Sequence, residues 1–170
     1  MSAGDDIIQL MTESFSALKD EFLTFTSEII WCTVTTVDGQ GRPRSRILHP
    51  IWEVIDERPV GWIFTANAGV KGAHLAANPQ VAFSYWSPEQ NVVLGEAATS
   101  WVDDVETKRH VWEMFTTAPP PLGYDLREFG LPGPESEGFT VLRLDPWRVQ
   151  VLDAASFARG NFTPRTALLK

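Results

Sequence analysis

A single cysteine, Cys32, stands among 170 residues, so the chain has no internal disulfide, and the apolar run around Cys32 reads as the setting of a buried thiol. Such usage fits a reducing compartment, and a cytoplasmic protein is expected. Positive charge is scarce: 14 Lys and Arg against 22 Asp and Glu leave a net charge of -8 and a pI near 4.8. Attraction to nucleic acid or to anionic membranes is therefore disfavoured over most of the surface, and neither is expected as a partner. Long apolar runs are missing too. None approaches the roughly 18 residues of a membrane helix, and MSAGDDIIQL lacks the basic-then-apolar order of a secretory signal. There is no HExxH pair, no GxSxG elbow, no P-loop and no GxGxxG after a strand, which removes the common hydrolase, metalloprotease and Rossmann readings. His49, His74 and His110 are scattered. Glu106, His110 and Glu113 share a helix face, but a solvated charged face is the ordinary form of that pattern, and no metal is expected.

What is present is strand pattern. Residues 31–37 (WCTVTTV) are β-branched and aromatic and end at Asp38-Gly39; RPRSRILHPIWEVI follows, giving a hairpin. Further strands are predicted over 60–65, 81–86, 91–102, 139–144 and 147–152, with a bulge or bend at Gly95. Helical spacing of Ile7, Ile8, Leu10, Met11, Phe15 and Leu18 predicts an opening amphipathic helix over 5–20 within a helical segment 1–28. Asn67 is a candidate cap for a short helix carrying Val70, Lys71, Leu75 and Ala76, which Asn78-Pro79 stops. Asp103 with Glu106 resembles a capping box for a helix burying Val111, Trp112 and Phe115. Five of the twelve prolines lie in 116–137, so an irregular excursion and candidate lid is expected there. The tail from Ala154 is weakly patterned. Length suits one domain over 1–170, and the element order suggests a mostly antiparallel barrel with flanking helices.

Two segments could bind an anion: RPRSRIL on an early strand, and FTANAGVKGAHLAANP from strand end into helix. Arginine forks, an ammonium, a threonine hydroxyl and free helix N–H groups suit a phosphate. The alternative for Arg42, Arg44 and Arg46 is one solvated strand face.

Pro43 followed three residues later by Arg46, then Thr65, Lys71, Leu75, Asn78 and Pro79 as T-x5-K-x3-L-x2-N-P, then VAFSYW and Gln90 five residues before Gly95, together resemble the pyridoxamine 5'-phosphate oxidase-like FMN-binding family. The resemblance covers 31 to about 102, with an echo at 139–152. It implies a six-stranded antiparallel split β-barrel, mostly β with flanking helices, acting as a homodimer with FMN between subunits. Arg46, Thr65 and Lys71 would meet the phosphate, with Phe64 and Val70 beside them. The backbone of Ile47, Leu48 and His49 would run along the isoalloxazine ring, and Gln90 would approach from across the interface. Gly69 and Val70 replace a serine and a basic residue of the family pattern. The C-terminal R-L-H-D-R segment that binds the pyridoxal substrate is replaced by ARGNFTPRTALLK, so a true pyridoxamine phosphate oxidase is not expected.

The resemblance implies an FMN-dependent oxidoreductase acting on a small organic substrate. The alternatives are a deazaflavin-dependent reductase of the same fold and a non-catalytic flavin-binding or redox-sensing protein. No residue is assigned as catalytic acid or base. Trp52, Trp86 and Trp147 are candidate substrate-stacking residues, each with an alternative place in core or interface.

Overall fold

The computed structural model describes residues 12–169. Its strands are β1 (Thr12–Glu13), β2 (Cys32–Val37), β3 (Pro43–Leu48), β4 (Pro50–Ile55), β5 (Arg58–Phe64), β6 (Gln80–Trp86), β7 (Val92–Trp101), β8 (Val141–Leu152) and β9 (Arg165–Leu168). Its helices are α1 (Phe15–Ile29), α2 (Gly69–Ala77), α3 (Val105–Thr117) and α4 (Ala154–Ala158), with a short 3-10 turn at Leu126–Phe129.

The strands hydrogen-bond in the order β1-β9-β8-β7-β6-β2-β3, while β5 pairs with both β8 and β4. Only His49 separates β3 from β4, so they are two halves of one bent strand. One half pairs with β2 and the other with β5. Six strands, with β3 and β4 counted as one, thus curl into a split barrel, as expected. β1 and β9 are additions: β9 pairs antiparallel with β8, and β1 parallel with β9. Alternation drives the packing. Cys32, Val34 and Thr36 of β2 point inward while Thr33 and Thr35 face out, and inward residues of β6, β7 and β8 join one core with Phe15, Leu18 and Phe22 of α1. A second core gathers Ile51, Val60 and Trp62 with Val111, Trp112 and Phe115 of α3, plus Leu126, Leu131 and Phe139.

Several expectations need correction. The spacing predicts an opening helix over 5–20; residues 5–11 lie outside the described residues, Thr12–Glu13 are strand, and the helix runs from Phe15 to Ile29. Arg165 explains the strand: it pairs with Glu13 and Glu21 and bonds the Ala17 carbonyl, tying β1 and α1 to β9. The last two predicted strands are one, because Pro146, which has no N–H to give, sits where the β7 register shifts between Glu96 and Ala97. That shift is beside Gly95, whose own role is close approach: a Cβ there would lie 2.2 Å from Phe83 Cζ. α3 is capped by Asp104, not Asp103, its carboxylate accepting from Thr107 N–H at 2.7 Å. Segment 116–137 is a packed cover rather than a free lid, since Leu126 and Leu131 are buried and the Tyr124 ring lies against Phe115 and His49.

Candidate functional site

β3, the end of β5 and the start of α2 meet at one corner of the barrel. Arg46 sits on β3 opposite Val34. Its Nη1 donates to Thr36 Oγ1 at 2.7 Å and to the Arg44 carbonyl at 3.2 Å, while Nη2 is buried with no partner. Thr65 follows β5 and is anchored through its backbone: its N–H donates to the Thr140 carbonyl, and its carbonyl accepts from Thr140 Oγ1 at 2.6 Å. Lys71 Nζ donates to Thr65 Oγ1. The sequence-predicted trio of Arg46, Thr65 and Lys71 is therefore brought together.

The electrostatics of this corner favour an anion. Burial pushes the Lys71 ammonium down to about 8, and the Arg46 charge adds to that push. Desolvation, with Arg44 second, also lowers Arg46. Among the described residues no carboxylate forms a salt bridge with either cation. Two close cations repel unless a counter-anion lies between them. α2 adds free donors. Its cap position is Ala68, not the expected Asn67, and no side chain caps it, so its first N–H groups are available. Asn67 instead shapes the loop in front of Lys71, because its carbonyl folds so tightly over Gly72 that a Cβ there would lie 1.9 Å away.

Two participants escaped the sequence reading. Thr36 is fully buried, and its hydroxyl lies 3.0 Å from His74 Nδ1. A guanidinium only donates, so Thr36 accepts from Arg46 and shares a second hydrogen bond with His74 Nδ1, the chain Arg46–Thr36–His74 fixing the arginine fork. The available signal was the pattern of β2, where a polar Thr36 occupies an inward position after Cys32 and Val34.

The other predicted residues spread outward. β3 is an edge strand whose second edge carries no ladder within the described residues. Ile47 is exposed there, and Leu48 packs on the core. His49 is enclosed by Trp31, Phe115 and Tyr124, its ring hydrogen-bonded to the Leu122 backbone and its Nε2 unpartnered. Burial lowers its pKa, against a smaller opposing pull from the Leu122 backbone bond. Val70 is exposed at the start of α2, whereas the Phe64 side chain turns away onto Phe139 and Phe129. Gln90 is not part of this corner within the chain. It lies in the β6–β7 turn, bonded to Trp86 and Pro88; Thr36 stands opposite Val81, and Trp86 is roughly 17 Å further along β6 at the usual strand rise. Of the candidate stacking residues, Trp52 packs on the core with Nε1 donating to Tyr85 Oη, while Trp86 and Trp147 are exposed. His110 binds Glu53 rather than joining Glu106 and Glu113.

Among the described residues no helix is long and apolar enough to cross a membrane. Sequence comparison with characterised proteins returned no match. Solved structures share the fold. General stress protein 26 from Bacillus anthracis superposes with a TM-score of 0.65 at 18% identity, over 89% of this chain and 98% of that one. A pyridoxamine 5'-phosphate oxidase-related, FMN-binding protein from Nostoc punctiforme gives 0.60 at 16% identity, over 91% and 96%. An F420 reductase gives 0.52 at 16% identity, over 74% and 93%. Residues 18–153 match the pyridoxamine 5'-phosphate oxidase family, and the chain belongs to it.

Proposed function

We propose that this chain binds FMN and works as a flavin-dependent oxidoreductase on a small organic substrate. The carrying observation is the corner where Arg46 and Lys71, two partly desolvated cations without a carboxylate, meet the Thr65 hydroxyl and the uncapped start of α2. A terminal phosphate satisfies all of these groups at once: the orphaned Arg46 Nη2 donates, the ammonium recovers its solvation, and the helix N–H groups find an acceptor. An acidic protein needs such a local trap. From Arg46 the open edge of β3 leads through Ile47 and Leu48 to His49, offering backbone N–H and C=O groups to the polar rim of a flat ring. The bound flavin would supply hydride transfer; the chain positions it and shields it from water.

A homodimer follows from the same reading. Gln90 of the partner subunit would reach the ring, which accounts for its lying far from Arg46 in its own chain. Exposed Trp31, Ile47 and Trp86 provide apolar surface for such a contact. A second reading replaces FMN by a deazaflavin coenzyme. Gly69 and Val70, standing where the family pattern has a serine and a basic residue, leave fewer phosphate ligands, and an F420 reductase shares the fold.

The visible spectrum of freshly purified protein, with the mass of its released ligand, tests the proposal. Yellow protein releasing FMN, bleached by anaerobic mixing with NADH or NADPH and recoloured by an acceptor, is the expected result. Protein that stays colourless and leaves FMN fluorescence unquenched on titration would contradict it. Bleaching only by a reduced deazaflavin would select the second reading.

A further inference from the structure

Arg42, Arg44 and Arg46 stand two apart along and just before β3, and their surroundings differ. Arg42 is neutralised locally: its Nε donates to Asp38 Oδ2 at 2.7 Å, and the same carboxylate accepts from the N–H groups of Gln40 and Arg42. Asp38 is thereby occupied in closing the β2–β3 turn. Among the described residues no carboxylate forms a salt bridge with Arg44, although the chain carries 22 acidic residues that could have supplied one. Side chains alternate along a strand, so Arg44 lies on the Arg46 side of β3, away from Ser45, whose hydroxyl pairs with Thr35, and from Ile47. It is turned away from the apolar Ile47 face that a partner subunit would cover.

The ladder sets Arg44 directly opposite Thr36, and such paired residues have Cβ atoms about 5 Å apart. Thr36 is also the residue that accepts from Arg46 Nη1 at 2.7 Å and meets His74 of α2 at 3.0 Å. The Arg44 carbonyl takes a second bond from the same Nη1 at 3.2 Å. After desolvation, the Arg44 charge is the cause that pushes Arg46 down, as Arg46 in turn pushes Lys71. Arg44, Arg46 and Lys71 thus form a row of mutually repelling cations leading from β3 to α2. Val70, exposed beside Lys71, adds no charge from the helix. Cations gathered without a carboxylate repel until an anion joins them, and a phosphate monoester has oxygens enough for two guanidinium forks and an ammonium.

We propose that Arg44 is a third cationic ligand of a phosphate monoester at this corner, supplying from β3 a charge that Val70 does not supply from α2. The anion is then gripped mainly from the strand, by the forks of Arg44 and Arg46, with Lys71 closing from the helix. That the phosphate belongs to FMN rests on the flavin reading; the role of Arg44 toward a phosphate monoester does not.

The test is a calorimetric titration of the flavin-free full chain with FMN and riboflavin, and with phenyl phosphate as a monoester that lacks the flavin ring. Arg44 is exposed, so its variants keep the fold. Arg44→Gln should weaken FMN and phenyl phosphate about three- to tenfold and leave riboflavin unchanged. Arg42→Gln, an equal change in net charge, should stay within about twofold. Arg44→Lys should recover only part of the loss, since an ammonium keeps the charge without the fork. Val70→Arg should restore more affinity to Arg44→Gln than it adds to the wild type, because both side chains would serve one anion. Phosphorus NMR of the bound ligand should show the dianion persisting to lower pH in the wild type than in Arg44→Gln. Equal losses in Arg42→Gln and Arg44→Gln, a riboflavin loss matching that of FMN, or a phosphate ionisation that does not move would overturn the proposal. A preference for FMN over riboflavin that survives Arg44→Gln in full removes Arg44 and leaves the flavin reading intact. Phenyl phosphate binding that depends on Arg44 in a protein that binds no flavin does the reverse.

Discussion

Replacing Lys71 by Met keeps most of the aliphatic stem and removes the ammonium, and it should move flavin affinity and protein stability in opposite directions. In the free protein this ammonium is lowered from its ordinary 10.5 to about 8, first by desolvation and then by Arg46. The unfolded chain therefore holds that proton more tightly than the folded one, and apo stability rises with pH between about 8 and 10.5. Below that window the buried charge is a penalty, so Lys71→Met should raise the apo melting temperature at pH 7. Binding behaves the other way. A phosphate favours the ammonium and raises its pKa, so affinity is full below about 8. It declines as pH rises through that value, by at most about tenfold per unit. The phosphate's second ionisation, near 6, sets the acid limb. Loss of one charged hydrogen bond costs about 1.5–3 kcal/mol, roughly 10- to 150-fold in Kd. Calorimetric titration with FMN across this range, paired with thermal unfolding, reads both effects. An unchanged affinity at pH 7, or an alkaline decline that persists in Lys71→Met, would refute the reasoning.

Other substitutions probe the supporting structure. Thr36→Val leaves Arg46 Nη1 and His74 Nδ1 without their shared hydroxyl, and urea denaturation should show a loss of about 1–3 kcal/mol; a neutral effect would mean the chain of bonds carries no weight. Asp104→Ala should lower the urea midpoint through the lost cap of α3, whereas Asp103→Ala should leave it nearly unchanged, and the reverse ranking would place the cap at Asp103. Gly95→Ala must displace the Phe83 ring and should destabilise by about 1–3 kcal/mol, with Phe83→Leu recovering part of the loss; additive losses in the double variant would show that the two residues do not meet.

How legible these features were depended on how local their causes are. β2, β6 and the barrel part of β8 announce themselves because each buries one face, and alternation survives in the chain as a period of two. β9 does not: its four residues have little pattern, and it exists because Arg165 reaches Glu13 and Glu21 across nearly the whole chain. The apparent gap at Asp145–Pro146 reads as a turn by local chemistry, yet the ladder with β7 continues on both sides of a register shift. The site divides in the same way. Arg46, Thr65 and Lys71 stand at spacings that a family pattern preserves, and they meet in space. Thr36 and His74 act through contacts 10 and 38 residues apart, which no window on the sequence contains. For His49 the sequence suggests a backbone role alone, and its enclosure by Trp31, Phe115 and Tyr124 emerges only from packing.

The most direct check on the phosphate-binding corner compares FMN with riboflavin, which differ by the phosphate alone, in titrations of the flavin-free protein at pH 7. Two charge-assisted contacts, from Arg46 and Lys71, predict that FMN binds at least about a hundredfold more tightly. Equal affinity for the two flavins would contradict the account.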